Sequence, residues 1–356
     1  MKMSAYLFPK PGKGEFEIFI ESVQAAEAAG YDRAWVFDSQ MLWKDVYVYL
    51  SHALAATKEI AIGTGVTNPF TRHFTVTANA HATLNQIYPG RVMFGIGRGD
   101  SARRTIGLNP YKTAEFLEVV KQIQTLMSGG SVPIVDYAGK TGTSTRIVWA
   151  QERIPTMMSA TGPKNLRAAG AVADIVQLQV GTHPDALRWA LKYVMEGAAE
   201  AERDPNEIEI GCFTAMYISE DDQEKAWEFC RFSPNIAANQ LQETVKYNPD
   251  VQLPAPLERL VNTPRAEYDY WGGHCESDAA HMKLPGEVVD DFSIAGPREK
   301  CLERIRELAA VGVEEIAPGV LNGEIDQMLQ VGREIIPQTR QMKSANWVEM
   351  LSEAKV

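Results

Sequence analysis

The stretch Arg91-Val-Met-Phe-Gly-Ile-Gly-Arg-Gly-Asp100 joins an apolar run, Val92 to Ile96, to a glycine-rich turn that ends in a carboxylate. This is how a buried parallel strand brings its C-terminal end to a site. The strand is hidden, the glycines let a ligand approach the backbone, and the acid faces it. Arg33-Ala-Trp-Val-Phe-Asp38 repeats the arrangement, and Ile60-Ala-Ile-Gly-Thr-Gly-Val-Thr67 leads into Asn68-Pro69. Asp38 and Asp100 are therefore the candidate proton-handling groups, although an acid after a strand is as readily the N-cap of the next helix. Ser159-Ala-Thr-Gly-Pro-Lys164 adds a different chemistry. Small residues expose backbone N–H groups and Pro163 opens a helix, so the helix N-terminus can meet a phosphate; without a ligand it is simply an efficient turn.

The elements that must position these residues alternate. Strands are expected at 3–8, 33–38, 60–67, 92–97, 155–159, 174–180, 207–218 and 313–318, with amphipathic helices between most of them, such as Phe16 to Ala29 closed by Gly30. Roughly eight strands, most followed by helices, give a (β/α)8 barrel in which C-terminal strand ends face the site. A doubly wound open sheet is the alternative, weakened because no G-x-G-x-x-G follows the first strand. One domain is expected over 1–356, with insertions near 131–152 and 233–296. The first reads as a hairpin of Val135 to Tyr137 with Arg146 to Trp149. The second, rich in proline and carrying Tyr268, Tyr270 and Trp271, reads as an irregular excursion over the site.

Composition narrows the function. The formal charge of −11 and the lack of a Lys/Arg cluster disfavour nucleic acid and anionic membranes. No apolar run is long enough to span a bilayer, and Glu15, Glu17 and Glu21 interrupt the first twenty-odd residues, so no basic-then-apolar signal layout is expected there. The four cysteines show no CxxC spacing, so a cytoplasmic home with reduced thiols is expected. His274, Cys275 and His281 lack a fourth partner at zinc-like spacing, and no metal site is expected. A G-x-S-x-G elbow and a Walker loop are both missing, which argues against hydrolases and nucleotide kinases.

At Ala28 to Asp38, Ile62 to Pro69, Pro89 to Asp100, Ser159 to Lys164 and Ala171 to Asp174, the chain resembles the bacterial luciferase-like superfamily of flavin- and F420-dependent oxidoreductases. Within it, the chain is similar to the methylenetetrahydromethanopterin reductase-like F420-dependent branch. The resemblance implies a non-prolyl cis bulge at Gly65–Val66 under the deazaflavin ring, with Thr67 and Asn68 against the ring or its tail. It implies that Asp38 lies near the reacting face, that Asp100 transfers a proton, and that Ser159, Ala160, Thr161 and Gly162 meet the cofactor phosphate. Gly97, Arg98 and Gln177 complete the expected cofactor contacts. The reaction it implies is hydride transfer between F420 and a small organic substrate.

Two alternatives stay open. Arg98 could hold the phosphate of FMN in a two-component monooxygenase that uses reduced flavin and O2, and a non-catalytic flavin-binding protein is the other. Ser39 stands where a sugar-phosphate-oxidising relative has a catalytic histidine, so that substrate is not expected. Trp43, Tyr270 and Trp271 point to an aromatic or flat substrate. A separate flavin or F420 reductase and a homodimer or higher homo-oligomer are the expected partners.

Overall fold

The computed structural model describes residues 1–8, 14–265, 267–271, 283–320 and 324–353. Strands β1 (Lys2–Leu7), β2 (Arg33–Val36), β3 (Ala61–Thr64) and β4 (Val92–Ile96) run parallel in register. A small antiparallel pair, β5 (Val132–Ile134) and β6 (Thr143–Thr145), interrupts the series. The parallel order then continues through β7 (Thr156–Ala160), β8 (Ile175–Leu178) and β9 (Glu209–Ile218). After a short strand β10 (Ile294–Gly296), β11 (Glu315–Val320) lies between β9 and β1 and closes an eight-stranded parallel barrel. The expected (β/α)8 architecture is the one observed, and the open sheet is not.

Burial explains why these strands read as nearly continuous apolar runs. Helices cover the outside of a parallel barrel and side chains fill its inside, so neither face meets water. Tyr6 and Phe213, from non-adjacent strands, meet edge to face with ring centroids 4.9 Å apart. The N-terminal end of the barrel is closed by ions. Arg33 contacts Glu209 at 2.5 Å and Glu315 at 2.7 Å, Lys2 reaches Glu209 at 2.6 Å, and Trp35 Nε1 donates to Glu315 at 3.1 Å. Charge at this face serves stability, because the site lies at the other end.

Two local expectations are corrected. The hairpin is shifted toward the N-terminus of the expected pairing: Gly139 and Gly142 adopt positive φ, and Asp136 Oδ1 accepts the N–H groups of Ala138 and Lys140. The turn therefore takes up Val135 and Tyr137, both exposed. The described residues of the 233–296 segment also differ from the expected irregular excursion. They include helices at Phe232–Tyr247, Ala255–Asn262 and Gly286–Phe292, and β10 pairs in parallel with the end of β9. Among the described residues no helix is long and apolar enough to cross a membrane.

Candidate active site

The C-terminal strand ends surround a cleft of about 850 Å3, within the usual range for a small-molecule site. Asp38, Gly65, Val66, Thr67, Asn68, Gly97, Arg98, Asp100, Ser159, Thr161 and Gly162 all line it. Ala160 and Gln177, also expected there, do not. Ala160 is buried, and Gln177 is sealed in the barrel between Ser159 and Gly211 with neither amide atom hydrogen-bonded to any described residue.

The wall at β3 is built by an interruption. The peptide Gly65–Val66 is cis. Gly65 N–H donates to Val36 O at 2.7 Å, whereas Thr67 N–H turns to Gly95 O at 3.0 Å, and Thr67 then pairs with Ile96. The ladder thus changes partner across Val66, which leaves that residue in the cleft wall. Glycine is needed at 65 because a Cβ there would lie 2.6 Å from both Trp35 Cβ and Tyr6 Cε1. The packing of Trp35 and Tyr6 in the core imposes that requirement.

Asp38 is almost wholly buried beyond the end of β2. Its Oδ2 accepts the Thr67 hydroxyl at 2.6 Å and an Arg72 N–H at 2.8 Å. Burial pushes its carboxyl above the ordinary carboxylate range and prevails over Arg72 and Thr67, which pull it down. It does not cap a helix: the next one, Val46–Ala56, is capped by Asp45. Asp100 stands at the head of the short helix Ser101–Arg104 but makes no capping bond to it. Its Oδ1 instead accepts from Arg104 Nε at 2.8 Å and from the Tyr270 hydroxyl at 3.1 Å. Ser39 and Ser101 hydroxyls lie 2.6 Å apart and Gln40 donates to Ala102 O at 2.7 Å, so the loops carrying the two acids are tied together.

A cationic arm leads away from the acids. Arg98 donates to Tyr111 O at 2.8 Å, and no described carboxylate lies within ion-pair distance of Arg98, Lys112 or Lys164. The helix Pro163–Val172 starts at Gly162 with no side chain capping it, so its N-terminus adds partial positive charge to the same wall. An anion is the ligand such a wall suits.

The roof is the helix Phe232–Tyr247. Ile236, Gln240, Glu243, Thr244 and Tyr247 fall on one helical face and line the cleft. Glu243 pairs with Arg104, and Gln240 with Thr161. Sequence reading missed this helix, along with Arg72 and Arg104; the i, i+4, i+7/i+8, i+11 spacing was the signal available for the helix. Trp43 does not reach the cleft but packs on Phe8 with centroids 5.7 Å apart. Trp271 is exposed, and of the three proposed aromatic residues only Tyr270 joins the acid cluster. Among the described residues no cluster of His, Cys, Asp or Glu could hold a metal, and the His274, Cys275 and His281 group lies outside them.

A family model described as luciferase-like monooxygenase matches residues 3–315. The 5,10-methylenetetrahydromethanopterin reductase of Methanolobus tindarius is 30% identical over 320 residues, covering 87% of this chain and 93% of the relative. The Methanopyrus kandleri enzyme of the same name is 31% identical over 338 residues, covering 88% and 93%. A solved coenzyme F420-dependent tetrahydromethanopterin reductase from Methanopyrus kandleri aligns with a TM-score of 0.73 at 25% identity, covering 95% of this chain and 99% of that one. Matched over most of its length by the model and by these reductases, the chain belongs to the luciferase-like monooxygenase family.

Proposed function

We propose that this protein is an F420-dependent oxidoreductase that moves a hydride between the deazaflavin F420 and a small organic substrate. The observation that carries this reading is one cleft in which an apolar shelf at Val66 adjoins two acids and a cationic arm. A flat ring fits the shelf, and an anionic tail fits Arg98, Lys112, Lys164 and the uncapped helix at Gly162. When bound, F420 would supply a carrier of one hydride, that is, of two electrons and a proton moved together. The protein supplies orientation and protons. Val66 and Gly97 hold the ring side, and Phe37 and Phe213 exclude water near Asp38. Asp38, with Oδ2 occupied by Thr67 and Arg72, gives or takes a proton to balance the charge on the substrate. Asp100 is the second proton-handling group, held by Arg104 and Tyr270.

Fluorescence titration tests the cofactor. Oxidised F420 should bind more tightly than FMN by about tenfold or more, a difference of about 1.4 kcal/mol. FMN binding with none for F420 would overturn the reading in favour of a flavin monooxygenase.

The cationic wall makes a separate prediction. Gly162→Asp should weaken F420 binding by about tenfold or more, because it sets a negative charge at the helix N-terminus. A Cβ at this position would also lie 2.7 Å from Thr244 Oγ1. Gly162→Ala therefore serves as the steric control, with a thermal melt on both. If the alanine variant loses as much affinity as the aspartate variant, displacement of Thr244 is the cause and the anion site lies elsewhere.

A further inference from the structure

Asp38 sits in a chain of charges that extends beyond the cleft. Arg72 donates through Nη1 to Asp38 Oδ2 and through Nη2 to Asp45 Oδ2, both at 2.8 Å. The side chains grade from buried to wet: Asp38 is 1% exposed, Arg72 18% and Asp45 50%. Asp45 is itself fixed, because its other oxygen accepts the N–H groups of Tyr47 at 3.0 Å and Val48 at 3.3 Å as the cap of helix Val46–Ala56. The Arg72 guanidinium lies over the Tyr47 ring, 4.9 Å from its centroid. A planar fork can hold two carboxylates and an aromatic face at once, which a lysine cannot.

We propose that Arg72 is the positioning residue for Asp38. It claims Oδ2 together with Thr67, so that the acid exchanges its proton at Oδ1, and Asp45 holds Arg72 in that pose. This rests on Asp38 serving as a site acid in the reading above. Among the described residues no donor reaches Oδ1, and Asp38 lines the cleft, so the unclaimed oxygen is the one available to a reacting molecule.

Among the described residues, the other titratable groups acting on Asp38 or Arg72 are Asp45, Tyr47 and His81. Burial raises the Tyr47 phenol, and it lowers His81 to about 4, so both are neutral at neutral pH. Arg72 is therefore the one cation acting on Asp38 at hydrogen-bond distance among the described residues, against the single anion Asp45.

The test is a carbon-13 NMR titration of the cofactor-free protein carrying aspartate labelled at the carboxyl carbon. The resonance that disappears in Asp38→Asn belongs to Asp38. Its midpoint should rise by about 1–3 pH units in Arg72→Met, the size of an arginine's effect on an adjacent carboxyl. Arg72→Gln, which keeps a donor but no charge, should also raise it and decides the matter if the methionine variant does not fold. Arg72→Lys should restore part of the shift. Asp45→Asn keeps the helix cap and removes the anchoring charge. A rise is expected there, whereas removal of a repelling charge alone would lower the midpoint. An unchanged or lower midpoint in both uncharged Arg72 variants would overturn the proposal, and a fall in Asp45→Asn would remove Asp45 from it. No cofactor enters this measurement. A protein that failed to bind F420 but showed these shifts would lose the function proposed above and keep the Arg72 assignment.

Discussion

Asp38→Asn should lower kcat/KM for F420-dependent turnover by about 100-fold or more, the scale on which a positioned general acid or base contributes. The asparagine is nearly isosteric and can still face Thr67 and Arg72, so the cleft keeps its shape. What is lost is a group able to exchange a proton where water is excluded. Burial raises the folded pKa of Asp38 above its unfolded value, so between the two values the folded state holds a proton that the unfolded chain has released. Stability from this group is present below that window and is lost as pH rises through it. Above that window the ionised carboxylate therefore costs stability that asparagine does not, which partly offsets the lost pair with Arg72. A thermal melt near that of the parent, together with collapsed turnover, is the expected pair of results. Asp100→Asn should slow turnover on a similar scale while releasing Arg104 from one of its two carboxylates. If both variants turn over like the parent, neither acid takes part in the chemistry.

That both acids were legible in the sequence, while their partners were not, has a physical origin. An acid just past a buried strand is a local pattern, and the barrel places every such position at one mouth. Arg72 and Arg104 carry no local pattern. Arg72 meets Asp38 only because the chain after the β3 interruption passes the end of β2. The glycines were read for a role they only partly have. Gly95 has no room for a side chain because a Cβ would lie 1.8 Å from Thr64 O, and at Gly97 it would lie 2.9 Å from Val66 Cγ2. Strand packing accounts for the first, and the second shapes the shelf. The helix Phe232–Tyr247 escaped notice because its buried residues include Ser233, Pro234 and Asn235, which do not read as an apolar face, and proline in a first turn is compatible with helix. The hairpin was misplaced because the β-prone Val135 and Tyr137 attracted the strand assignment, while Gly139, Gly142 and Asp136 had already committed that stretch to a turn.

The largest effect on stability is expected at the opposite end of the barrel. Glu315 is fully buried at the start of β11, where it accepts from Trp35 Nε1 and Ser4 Oγ and pairs with Arg33. Glu315→Ala removes one acceptor from three donors, leaves Arg33 dependent on Glu209, and opens a cavity among strands that hold the closure of the barrel. Breaking a buried pair from one side costs about 3–5 kcal/mol, because the remaining charge stays desolvated. Urea unfolding should show that loss as a lower midpoint at an unchanged slope. The variant that remains folded should bind F420 as the parent does, because these residues lie at the face away from the cleft. A cost below about 1 kcal/mol would show that water enters and solvates Arg33, as at a surface pair. Acid should weaken the same cluster. Burial raises the Glu209 carboxyl, but Arg33 and Lys2 outweigh it and hold the group below its ordinary value of 4.5. Its contribution is therefore complete above that value and is lost as pH falls through the lower folded one. In Arg33→Met that acid-side loss should shrink, since the charge that holds Glu209 ionised is gone, and an unchanged acid limb would place the acid sensitivity in other carboxylates.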